Sequence, residues 1–194
     1  MYSIKCCILG NTNVGKTSII QKYVNKNFNL TNATLGAIFW VVNDEDNEVQ
    51  IDLWDTAGQE KYNSLIPMYT RGSDIIILTF DLNDKKTFND LLVWKGKAEQ
   101  RHLNPYFVIV GNKCDLDIFR QVEEQDIKNM IQDHFNVDNT QYFFTSAKSG
   151  ENIKELFEHL FKLSKSINKK KTIFNKNVDL NKLKIIEKKN NCCY

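Results

Sequence analysis

The chain has 194 residues, 42% of them apolar, with a formal net charge of +2 and five cysteines. That length suits one domain with a full core plus a tail. No apolar run reaches the roughly 20 residues of a membrane-spanning helix, and no secretory leader pattern opens the chain, so a soluble cytosolic protein is expected, with Cys6, Cys7 and Cys114 reduced and serving as small core residues. The charge is uneven: residues 162–194 hold ten lysines against Asp179 and Glu187, which is +8 there and leaves −6 for residues 1–161.

The first apolar run, residues 4–9, predicts a buried strand, and Gly10-Asn11-Thr12-Asn13-Val14-Gly15-Lys16-Thr17 follows it directly. This fits G-x-x-x-x-G-K-[ST], in which glycines let the backbone wrap phosphate oxygens and loop N–H groups face the anion at a helix N-terminus. The lysine adds a point charge, and the Thr17 hydroxyl can ligate Mg2+. Ile19, Ile20, Tyr23 and Val24 recur at helical spacing, carrying a helix to about Asn25. The polar stretch 26–34 predicts a loop on the nucleotide side, where Phe28 either covers a purine edge-on or packs as a lone aromatic. Residues 38–43 and the alternation of Val49, Ile51 and Leu53 predict a hairpin around the acidic turn 44–48.

That hairpin delivers Trp54-Asp55-Thr56-Ala57-Gly58-Gln59-Glu60 to the carboxyl edge of the sheet. There Asp55 can hold Mg2+ through water, Gly58 lets its N–H approach a terminal phosphate, and Gln59, donor and acceptor at once, can orient an attacking water. A capping Asp at a strand-to-loop turn is the plainer alternative. Residues 75–80 are apolar throughout, as in a central parallel strand covered on both faces. A helix from about Asp84 to Arg101 turns Phe88, Leu91, Leu92 and Ala98 inward, and the strand 106–110 brings Gly111-Asn112-Lys113-Cys114-Asp115 to the same edge, where open α/β sheets bind ligands. Asp115 can accept hydrogen bonds from the ring N–H and amine of guanine, a pair that adenine does not offer. Lys113 can lay its stem on the purine, and Asn112 can tie the loop to its neighbours. After a helix over 123–135, the strand 142–145 ends in Ser146-Ala147-Lys148, where Ala147 can present its N–H to a guanine oxygen and Lys148 can close the site. The last helix carries Ile153, Leu156, Phe157, Leu160, Phe161 and Ile167 as a core-facing stripe. His102, His134 and His159 lack metal-ligand spacing and read as surface or satisfied residues.

Over residues 2–165 the chain resembles a small GTPase of the Ras superfamily, and most closely its Rab branch. The resemblance rests on Gly10 to Thr17 with Ser18, Thr34-Leu35-Gly36, Asp55 to Gln59, Asn112-Lys113-x-Asp115 and Ser146-Ala147-Lys148, in that order. Trp54, Tyr69-Thr70-Arg71-Gly72 and the cysteine pair Cys192-Cys193 point to the Rab branch. The resemblance implies an α/β P-loop NTPase G domain over 1–167. Its sheet would be mostly parallel, with one antiparallel edge strand and helices on both faces, followed by a disordered basic tail over 168–194. It implies a Mg2+-dependent GTP/GDP switch in which Asn13, Val14, Gly15, Lys16, Thr17, Ser18 and Phe28 contact nucleotide. Thr17, Thr34 and Asp55 would hold the metal, Gly58 would sense the γ-phosphate, and Gln59 would position water for a slow hydrolysis speeded by an arginine supplied in trans. Phe39, Trp54 and Tyr69 match the aromatic triad that Rab proteins present to effectors.

The same resemblance implies geranylgeranylation of Cys192 and Cys193, two chains being needed for stable anchoring, with Leu183-Lys184-Ile185 gripped by the prenylation escort. The implied setting is the cytoplasmic face of intracellular membranes, cycling with cytosol. Implied partners are an exchange factor, a GTPase-activating protein, a dissociation inhibitor and effectors for vesicle traffic, with a monomeric G domain and no nucleic acid. Two departures stand out. The segment from Phe28 to Thr34 is one residue shorter than expected, leaving the first switch open, and Ile38 stands where Rab proteins usually carry an acid, which points to an altered effector surface or to a better packed hairpin. A P-loop ATPase or kinase, and a GTP-bound adaptor that barely hydrolyses, are the alternative readings.

Overall fold

The computed structural model describes residues 1–28, 33–46, 48–99 and 105–170. Six strands form one sheet: β1 (Tyr2–Leu9), β2 (Ala37–Asn43), β3 (Val49–Thr56), β4 (Ile75–Asp81), β5 (Tyr106–Asn112) and β6 (Thr140–Thr145). Their spatial order is β2-β3-β1-β4-β5-β6. The β2–β3 hairpin pair is antiparallel, and the other neighbours pair in parallel. After β1 the chain builds outward to β3 and β2, then returns to continue with β4 on the other side. The end of β1 is therefore the topological switch point at which open α/β sheets place ligands.

Strand alternation splits the core into two layers. Ile4, Cys6 and Ile8 of β1, Ile75 and Ile77 of β4, and Val108 and Val110 of β5 face one layer. Cys7 and Leu9, Ile76, Leu78 and Phe80, and Phe107 and Ile109 face the other. The first layer is closed by α1 (Lys16–Asn25) and by a last helix, α6, described over 153–170. Tyr23 of α1 stacks on Phe157 of α6 at 3.8 Å. The second layer is closed by α2 (Ile66–Thr70), α3 (Lys85–Asn89), α4 (Leu91–Glu99) and α5 (Glu124–His134). The expected sheet and its two helical faces are thus found, and the stripe Ile153, Leu156, Phe157, Leu160, Phe161 and Ile167 is buried. Among the described residues no helix is long and apolar enough to cross a membrane.

The structure departs from the sequence reading at several points. The helix expected from Asp84 to Arg101 is two helices that meet at Asp90 (φ −70°, ψ −9°). Asp90 N–H still donates to the Lys86 carbonyl, and its own carbonyl accepts from Val93 and Trp94, so apolar periodicity runs on across the bend. Cys6 and Cys7 are core residues, whereas Cys114 is only half-buried. His134 is exposed, while His159 is half-buried with a buried Nε2 that finds no partner among the described residues, so it is not satisfied there. Helix α6 runs on past Ile167 to 170, where the Lys170 ammonium donates to the Tyr106 hydroxyl at 2.7 Å. Asn47, Arg101, His102, the first-switch residues 29–32 and the tail from 171, with Leu183-Lys184-Ile185, Cys192 and Cys193, lie outside the described residues.

Candidate functional site

The loop between β1 and α1 lies at the switch point, and its geometry follows from close approaches. Gly15 caps α1 in a left-handed conformation (φ 97°), and a Cβ there would lie 2.2 Å from Asn112 Nδ2. Only glycine meets both demands. Asn13 also sits at positive φ (63°), a conformation Asn tolerates better than most residues. Val14 is buried and serves the site through its carbonyl.

Two cavities meet at this loop. One of ≈ 170 Å³ lies over Lys16, Thr17, Thr34, Thr56 and Gly58. The other, ≈ 280 Å³, lies between Phe28, Asn112, Lys113, Asp115, Ala147 and Lys148. Asn13, Gly15 and Ser18 line both, so the two form one groove along the loop.

At the first end the Lys16 side chain is 6% exposed, and its ammonium donates to the carbonyls of Gly10 and Asn11, each at 2.8 Å. Burial lowers its pKa to about 8 against the opposing pull of Asp55. Asp55 is fully buried, and burial raises its carboxyl to about 6, although the Thr17 hydrogen bond and Lys16 pull the other way. Thr17 donates its hydroxyl to Asp55 Oδ2 at 2.7 Å and accepts from the Thr34 hydroxyl at 2.9 Å. The shortened first switch therefore still delivers Thr34 to Thr17. Among the described residues Asp55 Oδ1 is buried without a partner beside these hydroxyls. An orphaned carboxylate oxygen within an all-oxygen donor set suits a hard divalent cation such as Mg2+.

Segment 57–59 closes over this end. The Ala57 N–H donates to the Gly36 carbonyl at 2.8 Å, bonding the first switch, Thr34-Leu35-Gly36, to the second, Asp55 to Gln59. A Cβ on Gly58 would lie 2.4 to 2.5 Å from the Asn11 carbonyl carbon and oxygen and from Thr12 N, so Gly58 rests directly on the phosphate loop. Gln59 is half-buried and caps the 3-10 helix Glu60–Leu65 with extended backbone (φ −81°, ψ 138°).

At the second end Asn112 is 2% exposed and joins three loops. Its Nδ2 donates to the Val14 carbonyl at 2.8 Å, and its Oδ1 accepts from Thr145 Oγ1 and from Ala147 N–H, each at 3.2 Å. The Ala147 N–H that the sequence reading offers to a base oxygen is thus engaged by Asn112. Lys113 sits at φ 67° with its ammonium 2.7 Å from Asp81 Oδ2, which fixes its stem along the cavity wall. Asp115 Oδ1 accepts from the Ser146 hydroxyl at 2.6 Å. Phe28, 42% exposed, and Leu116 supply the apolar walls.

Outside the groove, Phe39 and Trp54 lie opposite each other across β2 and β3 with ring centroids 5.2 Å apart, and Tyr69 stacks on Trp54 at 5.7 Å. The apolar strand β2 divides its load: Trp40 and Val42 pack on the core, while Ile38, Phe39 and Val41 are 40%, 49% and 50% exposed. Sequence reasoning missed Asp81, which orients Lys113, and the contacts of Asn11 with Asp90 and Trp94. An acid at the end of β4 was the one legible signal for Asp81. Nothing in the local pattern pointed to the others.

Fold and groove together define a P-loop nucleotide-binding protein with the G-domain arrangement. The sequence model of the Ras family matches residues 5–166. The chain is 42% identical over 163 residues to the Ras-related protein Rab-7B of Dictyostelium discoideum, covering 81% of this chain and 80% of that protein. It is 40% identical over 162 residues to the human Ras-related protein Rab-22A, covering 81% of each. Over 179 residues it is 36% identical to the Ras-related protein Rab-7a of Paramecium octaurelia, covering 88% of this chain and 85% of that one. The chain belongs to the Ras family and is a Rab-like small GTPase of vesicle trafficking.

Proposed function

We propose that this GTPase is a Mg2+-dependent switch whose nucleotide lies along the groove, phosphates over Lys16 and guanine between Phe28 and Lys113. Lys16 holds the outer phosphates from its seat on two loop carbonyls, and Ser18 and the backbone of Asn13 to Gly15 line their path. Thr17, Thr34 and Asp55 are the residues that hold Mg2+, which when bound neutralises charge on the phosphate oxygens. Asp115, positioned by Ser146, selects guanine, with Ala147 and Lys148 closing that end. Gln59 orients a water for in-line attack: its oxygen bonds to the γ-phosphorus, the bond to the β-phosphate oxygen breaks, and the water's protons pass to solvent and phosphate. The reaction is slow alone and is speeded by an arginine from a GTPase-activating protein. Loss of the γ-phosphate frees Thr34 and Gly58, and effectors read that change on Phe39, Trp54 and Tyr69.

In this reading Cys192 and Cys193 carry two prenyl chains that hold the protein on the cytoplasmic face of intracellular membranes. A prenylation escort, a dissociation inhibitor and an exchange factor move it between membrane, cytosol and nucleotide states. The observation that carries the proposal is the meeting of the Thr17, Thr34 and Asp55 oxygens beside buried Lys16. Single-turnover hydrolysis with Mg2+ or EDTA, and competition of GDP against ADP, test it. Mg2+-dependent turnover and displacement by guanine nucleotides alone are expected. Equal displacement by ADP sinks the base assignment, and turnover indifferent to EDTA sinks the metal set.

A further inference from the structure

One side chain of the phosphate loop turns away from the groove. Asn11 Nδ2 donates to Asp90 Oδ2 at 2.6 Å, and Asn11 Oδ1 accepts from the indole N–H of Trp94, also at 2.6 Å. Both partners belong to one turn at the junction of α3 and α4: the Asp90 carbonyl accepts from the N–H groups of Val93 and Trp94. Trp94 is 4% exposed and packs in the core, so its indole is a fixed partner for the loop. On its backbone side the same residue carries the site. The Asn11 carbonyl accepts from the Lys16 ammonium at 2.8 Å, and Gly58 packs on that carbonyl.

Helix α4, Lys16 and Gly58 therefore meet on a single peptide unit. We propose that Asn11 is a positioning residue, clamped by Asp90 and Trp94, which sets the peptide that aims Lys16 at the outer phosphates. The inference rests on the reading of Lys16 as a phosphate contact. A primary amide meets both demands of the clamp through two separate atoms, its NH2 donating to a carboxylate while its oxygen accepts from an indole. A carboxylate at position 11 keeps the indole bond but faces Asp90, and the like charges force the loop off the helix. The same face of α4 also reaches the 3-10 helix that follows the second switch: Lys97 lies over the Trp94 ring at 4.1 Å and donates to Asn63 Oδ1 at 2.9 Å.

The test is dissociation of a fluorescent GDP from the full-length protein with Mg2+ present, chased by unlabelled GDP. Asn11→Asp is expected to speed dissociation about ten-fold, the loss of one charge-assisted hydrogen bond. Adding Asp90→Asn restores an amide-to-carboxylate bond with the roles exchanged, and the double variant returns to within about three-fold of the natural rate. Trp94→Phe keeps the buried ring and removes only the donor, so it probes the clamp even where Asn11→Asp does not fold. It is expected to speed dissociation about three-fold or more. An unchanged rate in either single variant, or a double variant no slower than Asn11→Asp, overturns the clamp. Lys16→Ala separates the two readings: a natural rate there refutes Lys16 as the phosphate contact, whereas fast release there with a natural rate in Asn11→Asp refutes only the clamp.

Discussion

Gly58→Ala adds one methyl at the place where the second switch meets the phosphate loop. Gly58 does not occupy the left-handed region, so its backbone accepts a side chain and the objection is one of space alone. The new Cβ would stand 2.4 Å from the Asn11 carbonyl carbon and 2.5 Å from both its oxygen and Thr12 N, whereas ordinary contact begins near 3.4 Å. A gap of roughly 1 Å must open, which for overpacked sites costs about 1–3 kcal/mol. The loop side resists, because Asn11 is bonded to Asp90, Trp94 and Lys16. The movement therefore falls on residues 57–59 and strains the bond from Ala57 N–H to the Gly36 carbonyl.

In the mechanism proposed above, hydrolysis requires segment 57–59 on the loop and GDP retention does not, so the two rates separate. Single-turnover hydrolysis is expected to fall about 5- to 150-fold, the kinetic equivalent of that cost, while GDP dissociation changes much less. Hydrolysis within two-fold of the natural rate refutes the contact. GDP release accelerated as much as hydrolysis is slowed shows that the methyl displaced the phosphate loop, which refutes the reasoning about which side yields.

Asp115→Asn removes the acceptor for two guanine donors and costs roughly 3–6 kcal/mol, a factor of about 100 or more in GDP affinity. Xanthosine diphosphate, with a carbonyl in place of the amine, gains instead, and competition binding reads both. His159 packs beside Phe143, and burial, with a smaller push from Lys162, lowers its pKa below the unfolded value near 6.5. The unfolded state then binds more protons in that window, so stability is lost as pH falls below about 6.5. His159→Phe flattens this part of the profile, measured as urea midpoints from pH 7 to 5. Phe39→Ala removes a half-exposed ring of the aromatic triad, so effector capture falls about thirty-fold or more if the triad is a hot spot, while the unfolding midpoint stays close to its natural value.

The sheet was legible because the central strands β1, β4 and β5 are apolar on both faces, and the groove because the loop to Lys16 and the residues Asp55, Asn112 and Ser146 all follow or end strands at one edge. Residue type and order suffice for such sites. What remained hidden depends on pairs far apart in the chain. Asn11 has no chemical role by its place in the motif, and Trp94 was overlooked within a run of core-facing residues until β4 and the bend at Asp90 brought α4 against the loop. That bend was itself invisible, since its hydrogen bonds continue through it and keep Phe88, Leu91 and Ala98 on one side. The Lys113–Asp81 pair has the same character, with a lysine assigned to the base whose head belongs to the neighbouring strand. The shortened first switch shows the converse error. A missing residue between Phe28 and Thr34 leaves the first switch open in the sequence, yet a loop can lose length where its ends are fixed, and Thr34 is held at 2.9 Å from Thr17.

The two switches are coupled by something more local than the nucleotide. Thr34 reaches the loop from the start of β2 and Gly58 from the end of β3, and between them the Ala57 N–H bonds the Gly36 carbonyl. A phosphate that holds either residue also orders the other, because withdrawing one alone breaks this bond while its partner stays in place. A net hydrogen bond of about 1 kcal/mol biases the joint state about five-fold over independent release. Aromatic contact carries the bias to the surface. Tyr69 places its hydroxyl within 3.5 Å of where a Cβ on Gly36 would stand and stacks on Trp54, which meets Phe39 across the hairpin. The aromatic face proposed for effectors is therefore built on the peptide that joins the switches, and a change in either one is felt there as a single event.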